Sequence, residues 1–533
     1  MYGGNIRRWV KRGILFGGGV LLLGIAKRST VWAEQKQQEV RTFGLYWEGE
    51  SLPYRRDSRT FYLPLTEEMK EKGVKKAGFA DCNGETVSFV RLPETEELET
   101  AVAEGTAYPF SFPEGGTPCF LVFTDMPMLS VEETGAGDGD YTPVKVTLFS
   151  GMFSDGAVVH TEGRIKVRGA LSTHFPKVGY RLKLETTDEF GNRKKNPLSF
   201  LDMRISDAWN LTALYADDLK IRDKISIDLW QQLMEEEDAY GTEAAFGTNM
   251  EYVEVLRDGD YLGLYGLLEP IDARQLGISQ SAGGAGQSEY YYKKQNDVIA
   301  EEAAFQFSVS EQILPATKTE EETENSVNYV ASLEIKEAAG QLSKEAWEPV
   351  RQYMCMMRYG LFDDMAPELL NLTNTADYWI FLQAIGGVDN AVKNMYYAAR
   401  FENGAYRLYF VPWDMDMSWG NEYCEESHTF QSYYTCPADA WIDWNPGTPM
   451  LEGHCAGFPE LVKARYSKLR QDILSDENLI SAIRTQFNYV KQSGAYARDA
   501  ARWTLSPHTA TTTQMETFAR ERMQALDEYI KEL

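Results

Sequence analysis

Asp389 and Asn394 stand five residues apart ahead of one strand-like run, and Asp414 and Asp416 follow the next. The two runs, "NMYYAARF" and "AYRLYFVPW", flank Glu402-Asn403-Gly404, and Asn-Gly is among the strongest short signals for a β-hairpin. A hairpin returns the chain to its starting point. Asn394 at the entrance and Asp414 at the exit are therefore expected side by side, with Asp389 close by on the loop past a helix end. Three hard, oxygen-bearing side chains at one spot are what Mg²⁺ asks of a protein when phosphates supply further ligands.

That spacing follows the logic of phosphoryl transfer. The first Asp orients a hydroxyl nucleophile and accepts its proton, while the Asn and the second Asp hold metal against nucleotide phosphates. The words HRD and DFG are absent, so only the layout carries the reading. D-x-x-x-x-N also arises by chance, and "WDMDMS" also reads as a capped turn. A calcium loop fits it less well, because the Gly and terminal Glu of that pattern are out of register.

The totals narrow the field. A chain of 533 residues is too long for one ordinary core, and 43% hydrophobic with 13% aromatic residues suffices for well-packed domains. A formal charge of −27 repels phosphate backbones, which argues against a nucleic-acid partner and requires any nucleotide site to bring its own cations or metal. Cysteines 82, 119, 355, 424, 436 and 455 form no C-x-x-C, and with five histidines and no H-x-x-x-H a structural zinc is not expected. Cys424 and Cys436 could pair in an oxidising compartment. No G-x-S-x-G elbow occurs. A glycoside hydrolase would need two carboxylates flanking one bond, and no such pair is isolated here.

Residues 1–33 carry Arg7, Arg8, Lys11 and Arg12, then an apolar run from Gly13 to Ala26, then small residues at Val31 and Ala33. This is the pattern of an export signal cleaved after Ala33, or of an uncleaved membrane anchor, and it places the rest of the chain outside the cell or at its surface. Residues 42–116 alternate in short turn-punctuated runs and read as a small β-rich unit. In "GYRLKL", Tyr180, Leu182 and Leu184 alternate with Arg181 and Lys183, giving a strand with one apolar and one charged face. "DDLKIRDKISIDLWQQLMEE" has the spacing of an amphipathic helix, in which Arg222 and Asp223 read as a local ion pair or cap. Residues 279–344 include "SQSAGGAGQSE" and "TKTEEETENS" and read as an acidic, partly mobile insertion. "ADYWIFLQAIGG" reads as an apolar helix stopping at Gly386-Gly387, and the tail from Phe458 is helical by period.

Five further stretches occur in the order found in one family. They are "GRIKVRGALSTHFPKVGYRLKL", "WNLTALYADDLKIRDKISIDLWQQL", "VEVLRDGDYLGLYGLLEPID", "DYWIFLQAIGGVDNAVKNMYY" and "YFVPWDMDMSWG". Together they resemble the spore coat protein CotH kinase family from about Thr117 to the C-terminus, apart from the insertion. The resemblance implies an α+β fold, an atypical two-lobed protein kinase-like domain over 117–533. It implies binding of ATP with Mg²⁺ or Mn²⁺ and phosphorylation of a protein on Ser or Thr. It assigns Asp389 as the catalytic Asp, Asn394 and Asp414 as metal ligands with Asp416 as a second candidate, and Lys177 or Lys183 as the phosphate-neutralising cation. Glu269 matches a family position and is a candidate partner for that lysine, though it also reads as a strand end. No G-x-G-x-x-G precedes the lysines; "RGALSTHFPK" stands there instead, with Gly169 alone to loosen the backbone. The alternative is a surface binding or adhesion protein that keeps the fold without turnover.

Overall fold

The computed structural model describes residues 44–137, 139–169, 171–242, 244–278, 288–294, 329–330, 333–337, 344–424, 429–431 and 440–533. The expected export signal, the greater part of the acidic insertion and Cys436 lie outside these residues. No helix among the described residues is long and apolar enough to cross a membrane. Cys82, Cys119, Cys355 and Cys455 are free thiols.

The chain divides into two compact units. The first takes residues up to 63 with 68–98 and 107–122, and the second takes 64–67, 99–106 and 123–533. The first unit is built from short antiparallel strands. Tyr46–Trp47 pairs with Glu50–Ser51 and Phe79–Ala80, while a second sheet includes Tyr54–Arg55, Ala107–Ser111 and Ser88–Phe89. Aromatic residues fill its interior, with Phe89 4.9 Å from Phe79 and 5.1 Å from Phe110 by ring centroid.

In the second unit the alternating strands close on themselves. Val158–Arg168, Thr142–Phe149, Met128–Glu133, Met250–Arg257, Asp260–Leu268, Ala208–Thr212 and Gly179–Thr187 pair in that order, and the last pairs back onto the first. Every pairing is antiparallel except Met128–Glu133 with Met250–Arg257. A barrel this small is filled by its own side chains. Leu129, Val131, Val144, Val146, Ile165, Leu182, Leu184, Trp209, Leu211, Val255 and Leu267 form one buried cluster. Because side chains alternate, the residues between them face outward. The register sets Arg164 opposite Lys183 and Lys166 opposite Arg181, so cations share one outer face.

The remaining elements pack into a separate, larger core. The Leu372–Ile385 helix starts at Asn371, whose side chain accepts the Asn374 amide, and ends at Gly386 in the left-handed conformation (φ 66°). It is buried on every side from Asn374 onward, as an all-round apolar sequence requires. The hairpin forms as expected: Met395–Glu402 pairs with Ala405–Pro412, Met395 opposite Pro412 and Glu402 opposite Ala405. Its sheet is extended by Tyr290–Lys294, Leu333–Glu337 and Tyr329–Val330. Part of the segment expected to be a mobile insertion is thus ordered strand, anchored on the hairpin. Helices Phe458–Arg470, Asp476–Gln492, Ala495–Arg502 and Thr513–Glu532 complete the chain.

Candidate active site

Asp389 lies in the first turn of the short Val388–Val392 helix that follows Gly386-Gly387. Its Oδ2 accepts a 2.8 Å hydrogen bond from Asn394 Nδ2, and its Oδ1 is 3.1 Å from Lys393 Nζ. Asn394 (φ 53°) and Asp414 (φ 60°) both adopt the left-handed backbone conformation at the two mouths of the hairpin, which short polar side chains tolerate best. The mouths are fastened to each other. The Trp413 amide donates to Asn394 O at 3.0 Å, and Asn390 Nδ2 donates to Asn394 O at 3.0 Å and to Trp413 O at 2.8 Å. Asn390 is itself fully buried, with Tyr378 Oη donating to its carbonyl at 2.9 Å.

The loop beyond Asp414 is held by a residue read from sequence as a cap. Asp223, at the start of the Arg222–Glu236 helix, accepts the Met415 amide at 2.7 Å. Arg222 forms a buried pair with Asp217 and Asp218. Nearby, Trp419 donates its amide to Ile385 O at 2.6 Å and its indole N–H to Ser226 Oγ at 2.9 Å. Carboxylates crowd here. Burial, with Asp414 beside it, pushes Asp223 up to about 8. Asp416 is driven well above the ordinary carboxylate range by burial and then by Asp414, Asp223 and Asp389. Lys393 and Arg168 offset only part of this charge, and an excess of carboxylate oxygens suits a hard divalent ion. Among the described residues no three His, Cys, Asp or Glu side chains already form a metal cage. A magnesium-type site that completes its shell with Asn394, water and phosphate does not need one.

Beside the hairpin mouth opens a cavity of about 640 Å³. Its wall is the charged outer face of the barrel, with Trp413 and Tyr396 from the hairpin and Lys293 and Lys336 from the strands anchored on it. In a protein carrying 80 acidic and 53 basic residues, cations dominate this lining. Some are neutralised: Arg164 pairs with Glu185 and Lys195 with Asp207. Arg168, Arg181, Lys183 and Lys293 make no ion pair among the described residues. Arg181 hydrogen-bonds only the neutral Asn210 Oδ1, at 2.8 Å. Burial depresses the pKa of Arg181 and of Lys293, and Arg168 depresses both further. Like charges held together without partners call for an anion.

Lys183 lines this cavity, its Nζ 5.1 Å from the Tyr141 ring centre. Lys177 does not. It is completely buried elsewhere, with Nζ 2.6 Å from Asp499 Oδ1, donating to Leu264 O at 2.5 Å and lying 4.6 Å over the Tyr265 ring. Nor is Glu269 the partner of a lysine. It is fully buried and accepts from the Arg204 amide at 2.9 Å and Arg204 Nε at 3.0 Å. Both positions serve the interior. The residues that composition and motif left unnoticed are Arg168, Lys293 and Asn390, while Arg181 was placed on the charged face and given no role. For Arg168 a signal existed: in "RIKVR" it shares the period-two face of Arg164 and Lys166.

The sequence profile described as CotH kinase protein matches residues 165–526. The chain belongs to the CotH kinase protein family. The match spans the charged barrel strands, the hairpin and its mouths, and the helices behind them. No curated protein matches the chain. Family membership, with the mixed α+β architecture, makes a kinase-like activity the frame in which the site is to be read.

Proposed function

We propose that this CotH-family chain is an exported or surface-held protein kinase that transfers the γ-phosphoryl group of ATP to a Ser or Thr hydroxyl of a protein. The observation that carries the reading is one juxtaposition. The Asp389–Asn394 pair meets Asp414 across the hairpin mouth, next to a cavity in which Arg168, Arg181, Lys183 and Lys293 make no ion pair among the described residues. Asn394 and Asp414, with Asp416 as the further candidate, would hold Mg²⁺ or Mn²⁺. That ion supplies positive charge to the phosphate oxygens. Arg181, Lys183 and Lys293 offset the rest of the triphosphate's charge. Asp389, oriented by Lys393 and Asn394, aligns the acceptor hydroxyl and takes its proton. The bond from the γ-phosphorus to the bridging oxygen of ADP breaks as the bond to the acceptor oxygen forms.

Transfer of ³²P from ATP with Mn²⁺ or Mg²⁺ onto the chain itself or onto casein tests this. Asp389→Asn should lower kcat by about 10²–10⁴-fold, the usual scale of a positioned general base. Equal transfer by wild type, Asp389→Asn and Asp414→Ala would end the kinase reading. ATP with Mn²⁺ should also raise the melting temperature, since a ligand of the native state alone stabilises it. No shift and no transfer would favour the non-catalytic surface-binding alternative.

A further inference from the structure

We propose that Arg168 grips the transferring phosphoryl group directly and is a catalytic residue of this site. The inference rests on the kinase reading and deepens it, because the cation within the motif, Lys393, is already paired with Asp389. The cavity's cations sort by position. Arg164 is held by Glu185 through Nε and Nη2, Lys166 lies 3.6 Å from Asp140, and Lys183 turns to Tyr141. All three gather around the Tyr141 ring, 4.9–5.2 Å from its centre. Arg168 is four residues beyond Arg164 and two beyond Lys166 on the same strand, about 13 Å and about 7 Å at the usual rise. There its guanidinium carbon is 5.7 Å above the Trp413 ring, the residue directly before Asp414.

Its electrostatic neighbours fit that placement. Arg168 opposes the upward shift of Asp223, which holds the Met415 amide, and it depresses Arg181, Lys293 and Tyr396. It therefore stands where the carboxylate cluster and the phosphate cations meet. It makes no ion pair among the described residues, so its donors are free of a competing carboxylate. A guanidinium is a planar fork that matches two oxygens of a phosphoryl group, which a lysine does not. In a loose transition state charge spreads over the three equatorial oxygens of the transferring group. Arg168 would stabilise that charge while giving up no proton; the acceptor's proton goes to Asp389 and the broken bond's electrons leave with ADP.

The test uses the full chain with Arg168→Met, Arg168→Lys and, as control, Lys183→Met. Calorimetry compares the non-hydrolysable triphosphate AMP-PNP with ADP, each with Mn²⁺. Wild type should prefer the triphosphate. Arg168→Met should erase that preference while leaving ADP affinity within threefold, and should lower kcat by about 10²–10³-fold, the scale of losing one transition-state donor. Lys183→Met should weaken both nucleotides together. Arg168→Lys, which keeps charge but loses the fork, should recover less than a tenth of the activity. Added guanidinium should partly restore Arg168→Met.

A merely structural Arg168 predicts a lowered melting temperature and equal losses for both nucleotides, and that result would overturn the proposal. So would wild-type kinetics in Arg168→Met, with the kinase reading left standing. Absence of transfer by the wild type and by every variant would remove both.

Discussion

Lys177 and Lys183 lie six residues apart in one stretch of sequence, yet the molecule uses them in opposite ways. Lys177 is sealed inside, its charge matched by Asp499, a residue 322 positions away in sequence. Lys183 is half-buried on the cavity wall, with an aromatic ring beside it and no carboxylate. Burial with a charged partner marks a residue that supports the architecture. Partial exposure without one marks a residue waiting for a ligand. The same division separates Glu269, locked to Arg204, from Asp414, exposed at the hairpin mouth.

The sharpest way to break this comparison is to remove both lysines' charges in turn. Lys177→Met leaves Asp499 buried without its nearest cation, and losing one half of a buried pair costs about 3–5 kcal/mol. Denaturant unfolding should show that loss, with nucleotide affinity in the surviving folded protein little changed. If Lys183→Met destabilised the chain as severely, the distinction between the two sites would collapse.

A second, smaller effect belongs to Lys220, which shares the interior network with Lys177. Its Nζ donates to Ser506 Oγ at 2.7 Å and Pro507 O at 3.2 Å, and burial pushes its pKa down from 10.5 to about 8. Below about pH 8 it is protonated in both folded and unfolded chains, so stability should not vary on its account. Between about 8 and 10.5 the unfolded chain holds the proton that the folded chain has lost, so stability should rise with pH by about 1–3 kcal/mol. Chemical denaturation across that window in wild type and Lys220→Met checks this; the variant should show a flatter profile.

The smallest effect is expected where the ligand is. Lys183→Met should leave unfolding free energy within about 0.5 kcal/mol of wild type. It should weaken ATP binding about tenfold, or about 1.4 kcal/mol. Repeating the titration at higher salt should narrow the gap, because screened charges attract less.

Much of this was legible before any coordinates. Alternation in "GYRLKL" placed Leu182 and Leu184 inside and Lys183 outside, because a strand's period is fixed by covalent geometry. Asn403-Gly404 placed the hairpin, and the hairpin placed Asn394 beside Asp414. The choice between Lys177 and Lys183 was not legible, since it depends on Asp499, which no local pattern connects to either. Asp223 was misread for the same reason. A carboxylate at a helix start is usually a cap, and only the fold shows it bonded to Met415, 192 residues on. Long-range pairing decides such cases, and single-sequence periodicity carries no record of it.

Asn390 reaches both mouths of the hairpin with one carboxamide, while Glu402, Asn403 and Gly404 turn at the opposite tip, eight paired positions away. The working end is bolted independently of how the chain reverses direction. Extra residues spliced between Asn403 and Gly404 would therefore lengthen a loop at about 25 Å from the carboxylates and leave their spacing untouched. That tip is a natural address for a reporter tag.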